Sequence, residues 1–184
     1  TGMWSQIADF PGDSRRNAAA TVIHDTAYVG LGLTATSNST DIWKYDPFSN
    51  TWTQGPEFPT YAGFAEAITY NQKVFVHWHH NLYRLDDNNW NTILELTPRS
   101  DGEIAFVIKE NAYFGLGPNE SSDNIYQLNM QTFEEKSFYF DYELRRNGSS
   151  SFVIDDKAYF IGGLKYTTSL KDVWQFDPAN IKNR

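Results

Sequence analysis

The chain writes one phrase four times. "IWKYDP" begins at Ile42, "LYRLDD" at Leu82, "IYQLNM" at Ile125 and "VWQFDP" at Val173. The first and last copies are 131 residues apart across three intervals, a mean spacing near 44. A second phrase precedes each copy: "TVIHDTAYVGLG" ends at Gly32, "ITYNQKVFVHWH" at His79, "FVIKENAYFGLG" at Gly117 and "FVIDDKAYFIGG" at Gly163. An aromatic phrase follows, at Trp52, Trp90 and Phe133, and "WSQIADFPG" from Trp4 parallels "WTQGPEFPT" from Trp52. A catalytic residue needs to occur once, whereas a packing residue must recur in every unit. Asp41 and Trp43 recur as Asp172 and Trp174, while Asn124 and Tyr126 keep shape rather than chemistry. These phrases therefore read as architecture, and a period of this length is that of a stacked-repeat fold.

Each unit reads as four short strands. Apolar residues alternate or form short runs bounded by Gly, Pro and Asn, and no helical periodicity persists. The first strand meets the second through a two-residue turn at His24-Asp25, Asn71-Gln72, Glu110-Asn111 or Asp155-Asp156. Asx-rich pairs tolerate the positive φ that tight hairpins need. A loop leads to the third strand, and Asp-Pro with Asn-Thr turns the chain into a fourth strand that carries the Trp. A lone four-stranded sheet cannot bury both faces, but radial stacking of such sheets buries them. The expected fold is an all-β propeller of four-stranded antiparallel blades. The blades fall near residues 13–60, 61–98, 99–142 and 143–184, the last completed by an N-terminal strand at 3–10. Glycines such as Gly30, Gly32, Gly162 and Gly163 are expected where backbones crowd.

Bulk properties exclude several functions. The 184 residues carry a net charge of −8, from 15 Lys+Arg against 23 Asp+Glu, which disfavours nonspecific nucleic-acid binding and anionic membranes. There are no cysteines, which removes disulfides, thiolate metal sites and Cys nucleophiles. No apolar run has transmembrane length, and no signal peptide is visible at the start. Nucleophile-elbow, P-loop and dinucleotide fingerprints are missing.

The repeat resembles the kelch-type propeller family over nearly the whole chain. The resemblance rests on Gly162-Gly163 and its variants Gly30-Leu31-Gly32 and Gly115-Leu116-Gly117, on Tyr45 and Phe176, and on Trp52 and Trp90. Phe10-Pro11-Gly12 with Arg15-Arg16 is similar to the bacterial kelch type. The second unit departs, with His77-Trp78-His79 in place of its glycines. Kelch-type oxidases of the galactose-oxidase group use a cysteine-crosslinked tyrosine at copper, which a cysteine-free chain cannot make. Sialic-acid mutarotases of the same type use charged residues at the central channel, so the resemblance draws attention to Arg and Glu there.

Such residues exist. Arg15, Arg16, Arg99, Arg145 and Arg146 fall in connections between fourth and first strands, at one channel mouth, while Glu66 and Glu103 fall in innermost-strand segments. Together they could hold an anionic sugar or carboxylate. The structural alternative pairs each Arg with an acid of a neighbouring blade, such as Asp13 or Asp101. His77 and His79 share a strand face and could ligate a metal with Asp86 or Asp87, but no wider ligand spacing supports a site, and the run reads as a short loop. No metal or other cofactor is expected. Exposed tyrosines and Trp78 are candidates to stack on sugars, and Asn38, Asn119 and Asn147 begin glycosylation sequons.

The leading functional expectation is a non-enzymatic recognition module that binds a protein or glycan through loops on one propeller face. The alternatives are a carbohydrate-active enzyme of mutarotase or lyase type, and a self-associating half-ring or part of a larger propeller. Three arrangements are open: a closed four-bladed ring sealed by the N-terminal strand on Val173–Asp177, an arc of a larger ring, and two chains forming eight blades, which would make a homodimer. The Asn/Ser/Thr-rich loops and the bacterial resemblance lead to an expected extracellular or periplasmic location, although a cysteine-free chain also folds in the cytoplasm.

Overall fold

The computed structural model describes residues 2–97, 104–117 and 124–181. Blade 1 consists of β1 (Ala19–Ile23), β2 (Thr26–Gly30), β3 (Ile42–Asp46) and β4 (Thr51–Gln54). Blade 2 has β5 (Glu66–Tyr70), β6 (Lys73–Trp78), β7 (Asn81–Asp86) and β8 (Asn89–Glu95). Blade 3 has β9 (Ile104–Ile108), β10 (Asn111–Gly115), β11 (Asn124–Asn129) and β12 (Glu135–Tyr139). Blade 4 contains β13 (Ser150–Ile154), β14 (Lys157–Ile161) and β17 (Val173–Phe176), with a small hairpin, β15 (Leu164–Lys165) and β16 (Thr168–Ser169), inserted before β17. Every sheet is antiparallel and follows chain order. β1 packs on β5, β5 on β9 and β9 on β13, so the first strands line a common axis and the sheets radiate from it as propeller blades.

The pleat explains the stacking. Alternate residues of each blade point to opposite faces, and each blade's rear face meets the front face of the next. Ala19 and Ile23 pack with Val74, Val76, Tyr83 and Leu85 between blades 1 and 2. Ile68, Phe75 and Leu82 meet Ala112, Phe114 and Leu128 between blades 2 and 3. Ile104, Phe106 and Ile108 meet Ala158 and Phe160 between blades 3 and 4. The crowding expected at glycines is present: a Cβ on Gly30 would lie 2.1 Å from the Asp41 carbonyl oxygen and 2.8 Å from Ile42 Cα.

Three local expectations are corrected. The β9–β10 turn is Lys109-Glu110, since Ile108 pairs with Asn111, and Lys109 takes the left-handed conformation at φ 56°. Phe133 lies in the turn before β12, at φ 60°, while Glu135 takes the register position that Trp52 and Trp90 occupy in their blades. The N-terminal segment does not add to β17. Residues 2–10 form no strand, and Trp4 is 100% exposed. The end of the segment instead seats on blade 1: the Asn50 side chain accepts from the Ala8 amide at 2.9 Å, Trp52 Nε1 donates to the Ala8 carbonyl at 3.1 Å, and Phe10 packs edge-on against Trp43 and Trp52. Blade 2 repeats the arrangement. Trp90 Nε1 donates to the Pro56 carbonyl, and Phe58 packs edge-on against Trp90. Aromatic contact and a satisfied indole N–H thus decide where residues 8–10 lie.

The two end blades keep half an interface each. Ile154, Ile161, Val173 and Phe152 are exposed on the rear of blade 4, and Val22 on the front of blade 1. Among the described residues β13 does not pack back against β1 as the other neighbouring first strands do.

Candidate functional site

Two of the arginines form matching clamps. Arg15 lies in the segment entering blade 1. Its Nη1 and Nη2 donate to Asp41 Oδ1 and Oδ2 at 2.5 and 2.8 Å, and Nη1 also donates to the Leu31 carbonyl at 3.1 Å. Trp43 Nε1 completes the carboxylate's shell at 2.8 Å. Arg146 enters blade 4 the same way. Its fork reaches Asp172 at 2.9 and 3.1 Å and the Gly162 carbonyl at 3.0 Å, and Trp174 Nε1 donates to Asp172 at 2.5 Å. Every member of the second clamp is 131 residues beyond its counterpart. The partner acid belongs to the arginine's own blade, immediately before the third strand, rather than to a neighbouring blade. Bidentate geometry makes each fork a strong, directional tie.

The clamp sets the charge state of its acid. Burial works against ionisation of Asp41, but hydrogen bonds from Arg15, Ser39 and Trp43 and the Arg15 charge outweigh it, and the carboxyl falls to about 2. The hydrogen bond from Arg146 likewise holds Asp172 below the usual carboxylate range. The Arg146 side chain is 1% exposed, so its charge faces protein groups and not a ligand.

The remaining predicted residues separate. Arg16 pairs by backbone with Leu33 and its side chain is exposed. Arg145 is half-buried beside the second clamp. Glu66 Oε2 and His77 Nδ1 are hydrogen-bonded at 3.0 Å across the β5–β6 pair, and His77 is 1% exposed with its ring against that of Phe114. Arg99 and Glu103 lie outside the described residues. A convergence of Arg15, Arg146 and Glu66 around one open pocket is not formed, because each is held by a partner within its own blade.

The histidine run is a tight connection. Trp78 pairs with Asn81, leaving His79-His80 as a two-residue hairpin turn with His79 at φ 53°. Asp86 is at the opposite end of β7, engaged by Arg84 at 2.8 Å and Lys73 at 3.3 Å, so it does not meet the histidines. Among the described residues no three His, Asp or Glu side chains gather as metal ligands. Trp78 is buried in the core between blades 1 and 2, which removes it as a stacking platform.

Exposed rings appear elsewhere. Antiparallel order places the loops between second and third strands, and the segments linking one blade to the next, at the same end of the propeller. That end carries Tyr61 in the link to blade 2, Tyr139 at the close of β12 and Tyr166 in the β15–β16 hairpin, all largely exposed. A cleft of about 960 Å³ opens between blades 3 and 4, lined by Phe138, Phe140, Phe160, Trp174 and Phe176, with Arg146 in its wall. The repeat of Asp41 and Trp43 as Asp172 and Trp174 marks the acid side of both clamps, whereas which tyrosines are exposed follows from loop position and not from the repeat.

The fold and its paired clamps define a β-propeller. No family model matches the chain, and no curated protein matches it in sequence. Among solved structures, that of YjhT is similar, with a TM-score of 0.74 at 16% identity over 88% of this chain. The chain spans 63% of the length of YjhT. At this identity the likeness is one of fold.

Proposed function

We propose that the chain is a kelch-type propeller module that recognises a protein or a glycan through one end of its blades, without catalysing a reaction. The observation that carries this reading is the set of exposed tyrosines, Tyr61, Tyr139 and Tyr166, at the end where the variable loops emerge. A tyrosine presents an apolar ring and a polar hydroxyl with few rotors to freeze, which suits both protein interfaces and the faces of sugar rings. Arg16 adds an exposed positive charge at the same end, on an otherwise acidic molecule. The arrangement of Arg15, Arg146 and Glu66 favours this reading over sugar chemistry at the channel, because those groups are committed to Asp41, Asp172 and His77.

The test is binding of the purified chain to a glycan array and to candidate protein ligands, with the Tyr61→Ser, Tyr139→Ser and Tyr166→Ser variants in parallel. Loss of affinity on the order of tenfold for at least one tyrosine variant is expected, since aromatic anchors dominate interfaces. A ligand whose affinity survives the triple variant would sink the assignment to this face. Turnover of a sugar anomer or glycosidic bond by the wild-type chain would sink the non-enzymatic reading.

A further inference from the structure

Asn-Gly occurs once in the 184 residues, at Asn147-Gly148. The pair enters blade 4 directly after the clamp arginine. Asn147 is tied to Leu164 by main chain alone: its amide donates to the Leu164 carbonyl at 2.9 Å, and its carbonyl accepts from the Leu164 amide at 2.8 Å. Among the described residues the Asn147 carboxamide and the Gly148 amide make no hydrogen bond. Gly148 is exposed at φ 64°, and a Cβ placed on it would meet no atom within 4 Å. Arg16 and Asn17 hold the same two places on blade 1, 131 residues earlier, and both are exposed with blade 2 packed behind them. Exposure therefore belongs to this step of the repeat.

These are the conditions under which a side chain reacts with its own backbone. The Gly148 nitrogen is next along the chain from a carboxamide that no hydrogen bond holds, and glycine has no Cβ to shield that nitrogen. Its attack on Asn147 Cγ forms a C–N bond and breaks the bond from Cγ to the side-chain nitrogen. That nitrogen leaves as ammonia and carries off the Gly148 amide proton. Water then opens the five-membered succinimide. Opening at Cγ gives aspartate, and opening at the main-chain carbonyl gives isoaspartate. Ring closure must turn the Asn147–Gly148 peptide, which gives up the hydrogen bond from the Leu164 amide. Two other asparagines are engaged instead. The Asn50 side chain accepts from the Ala8 amide and the Tyr45 hydroxyl, and that of Asn129 from the Gln131 and Thr132 amides. Each is followed by a residue with a side chain, Thr51 or Met130.

We propose that Asn147 is a self-modifying position, converted through a succinimide to aspartate and isoaspartate in the folded chain. Its place gives the change an effect. Either product sets a new negative charge beside Arg146, whose fork already serves Asp172. Isoaspartate also lengthens the main chain by one carbon between Arg146 and β13, so the bridge to Leu164 shifts against the clamp. Asparagine is among the residues that limit the thermal lifetime of proteins, and here that lifetime is written into the blade 4 clamp. This inference is independent of the recognition reading.

Ageing the purified chain in mildly alkaline buffer tests it. The tryptic peptide carrying Asn147 should gain one mass unit and separate into two species, one of them a substrate for isoaspartyl methyltransferase. Conversion in the folded chain should be about tenfold slower than in urea, because one exposed hydrogen bond must open first. Asn147→Gln should abolish it, since the longer side chain closes a larger ring. The bridge to Leu164 uses main chain only, so this variant keeps its fold, which circular dichroism checks. Aged wild type should unfold at lower urea than fresh protein, while aged Asn147→Gln should not. A folded chain whose Asn147 peptide stays unmodified while the urea-unfolded chain converts would overturn the proposal. So would faster conversion at Asn50 or Asn129. An equal loss of stability in aged wild type and aged Asn147→Gln would overturn the link to the clamp.

Discussion

At the scale of single residues the molecule depends on two arginines that a reader of the sequence would enlist for ligand binding. Arg146 lies under protein, with its fork satisfied by Asp172 and by the Gly162 and Leu144 carbonyls. Removing it strands those acceptors. Arg146→Ala should therefore lower stability by about 2–4 kcal/mol in urea unfolding, because a lost buried charge leaves its partners desolvated and unpaired. Asp172 is 40% exposed and can rehydrate, which keeps the cost from rising further. Arg146→Lys should recover only part of it, since an ammonium cannot reproduce the bidentate fork. The acids make the clamp pH-sensitive. Asp41 has its carboxyl at about 2 in the folded chain against 3.8 for the free side chain. A depressed folded value contributes stability that is present above pH 3.8 and is lost as pH falls towards 2. Asp41→Asn should lower stability at neutral pH and flatten this acid limb. An unfolding profile between pH 5 and 2 with the same slope in wild type and variant would contradict it.

At the scale of elements the sequence was legible where a strand repeats and obscure where a linker changes length. Phe10 and Phe140 are 130 residues apart, but the strand phrases are offset by 131, and that offset sets Arg146 opposite Arg15, as the structure does. From Phe10 to Arg15 is five residues and from Phe140 to Arg146 six, and the extra residue is absorbed near the short helix Tyr142–Leu144. The distance from clamp arginine to clamp acid is unchanged at 26 residues, because both ends are tied to the same sheet. The turn at Lys109 escaped Asx reasoning for a related reason. Strand register, not side-chain preference, decides which residue takes the left-handed conformation, and antiparallel pairing of Ile108 with Asn111 leaves Lys109 there. Close approach also belongs to this scale. Gly30→Ala would drive a methyl into the Asp41 carbonyl and the Ile42 backbone, atoms that cannot swing aside as a side chain could. Overpacking of this kind should cost about 1–3 kcal/mol or more, with the melting temperature falling accordingly. An unchanged melting temperature would mean that β2 and β3 can part without penalty.

At the scale of the whole molecule, burial is graded along the arc. β6 and β10 in the two middle blades are buried almost throughout, whereas β13 and β17 are exposed at most positions. A stack of units that touch only their neighbours draws much of its stability from the junctions on either side. Hydrogen exchange should therefore report slow amides in β6 and β10 and faster ones in β13 and β17, measured at a concentration where the chain is monomeric. Equal protection across the four blades would show that the sheets unfold as one unit. The Arg146 clamp lies in blade 4, so the loss of protection on mutation should be largest in β13, β14 and β17.

The two-residue connection at His79-His80 has a topographic consequence. Residues 31–41 of blade 1 and 162–172 of blade 4 bridge their second and third strands with eleven residues each, while blade 2 uses two. The end of the propeller that carries the exposed tyrosines is thus uneven, with a dip over blade 2 beside a raised flank over blade 1. Because both histidines lie at the tip of a hairpin whose strands are paired up to Trp78 and Asn81, extra residues inserted between them would project into that dip without disturbing the sheet. It is the place where new sequence could be grafted to reshape the rim while the blades below keep their registers.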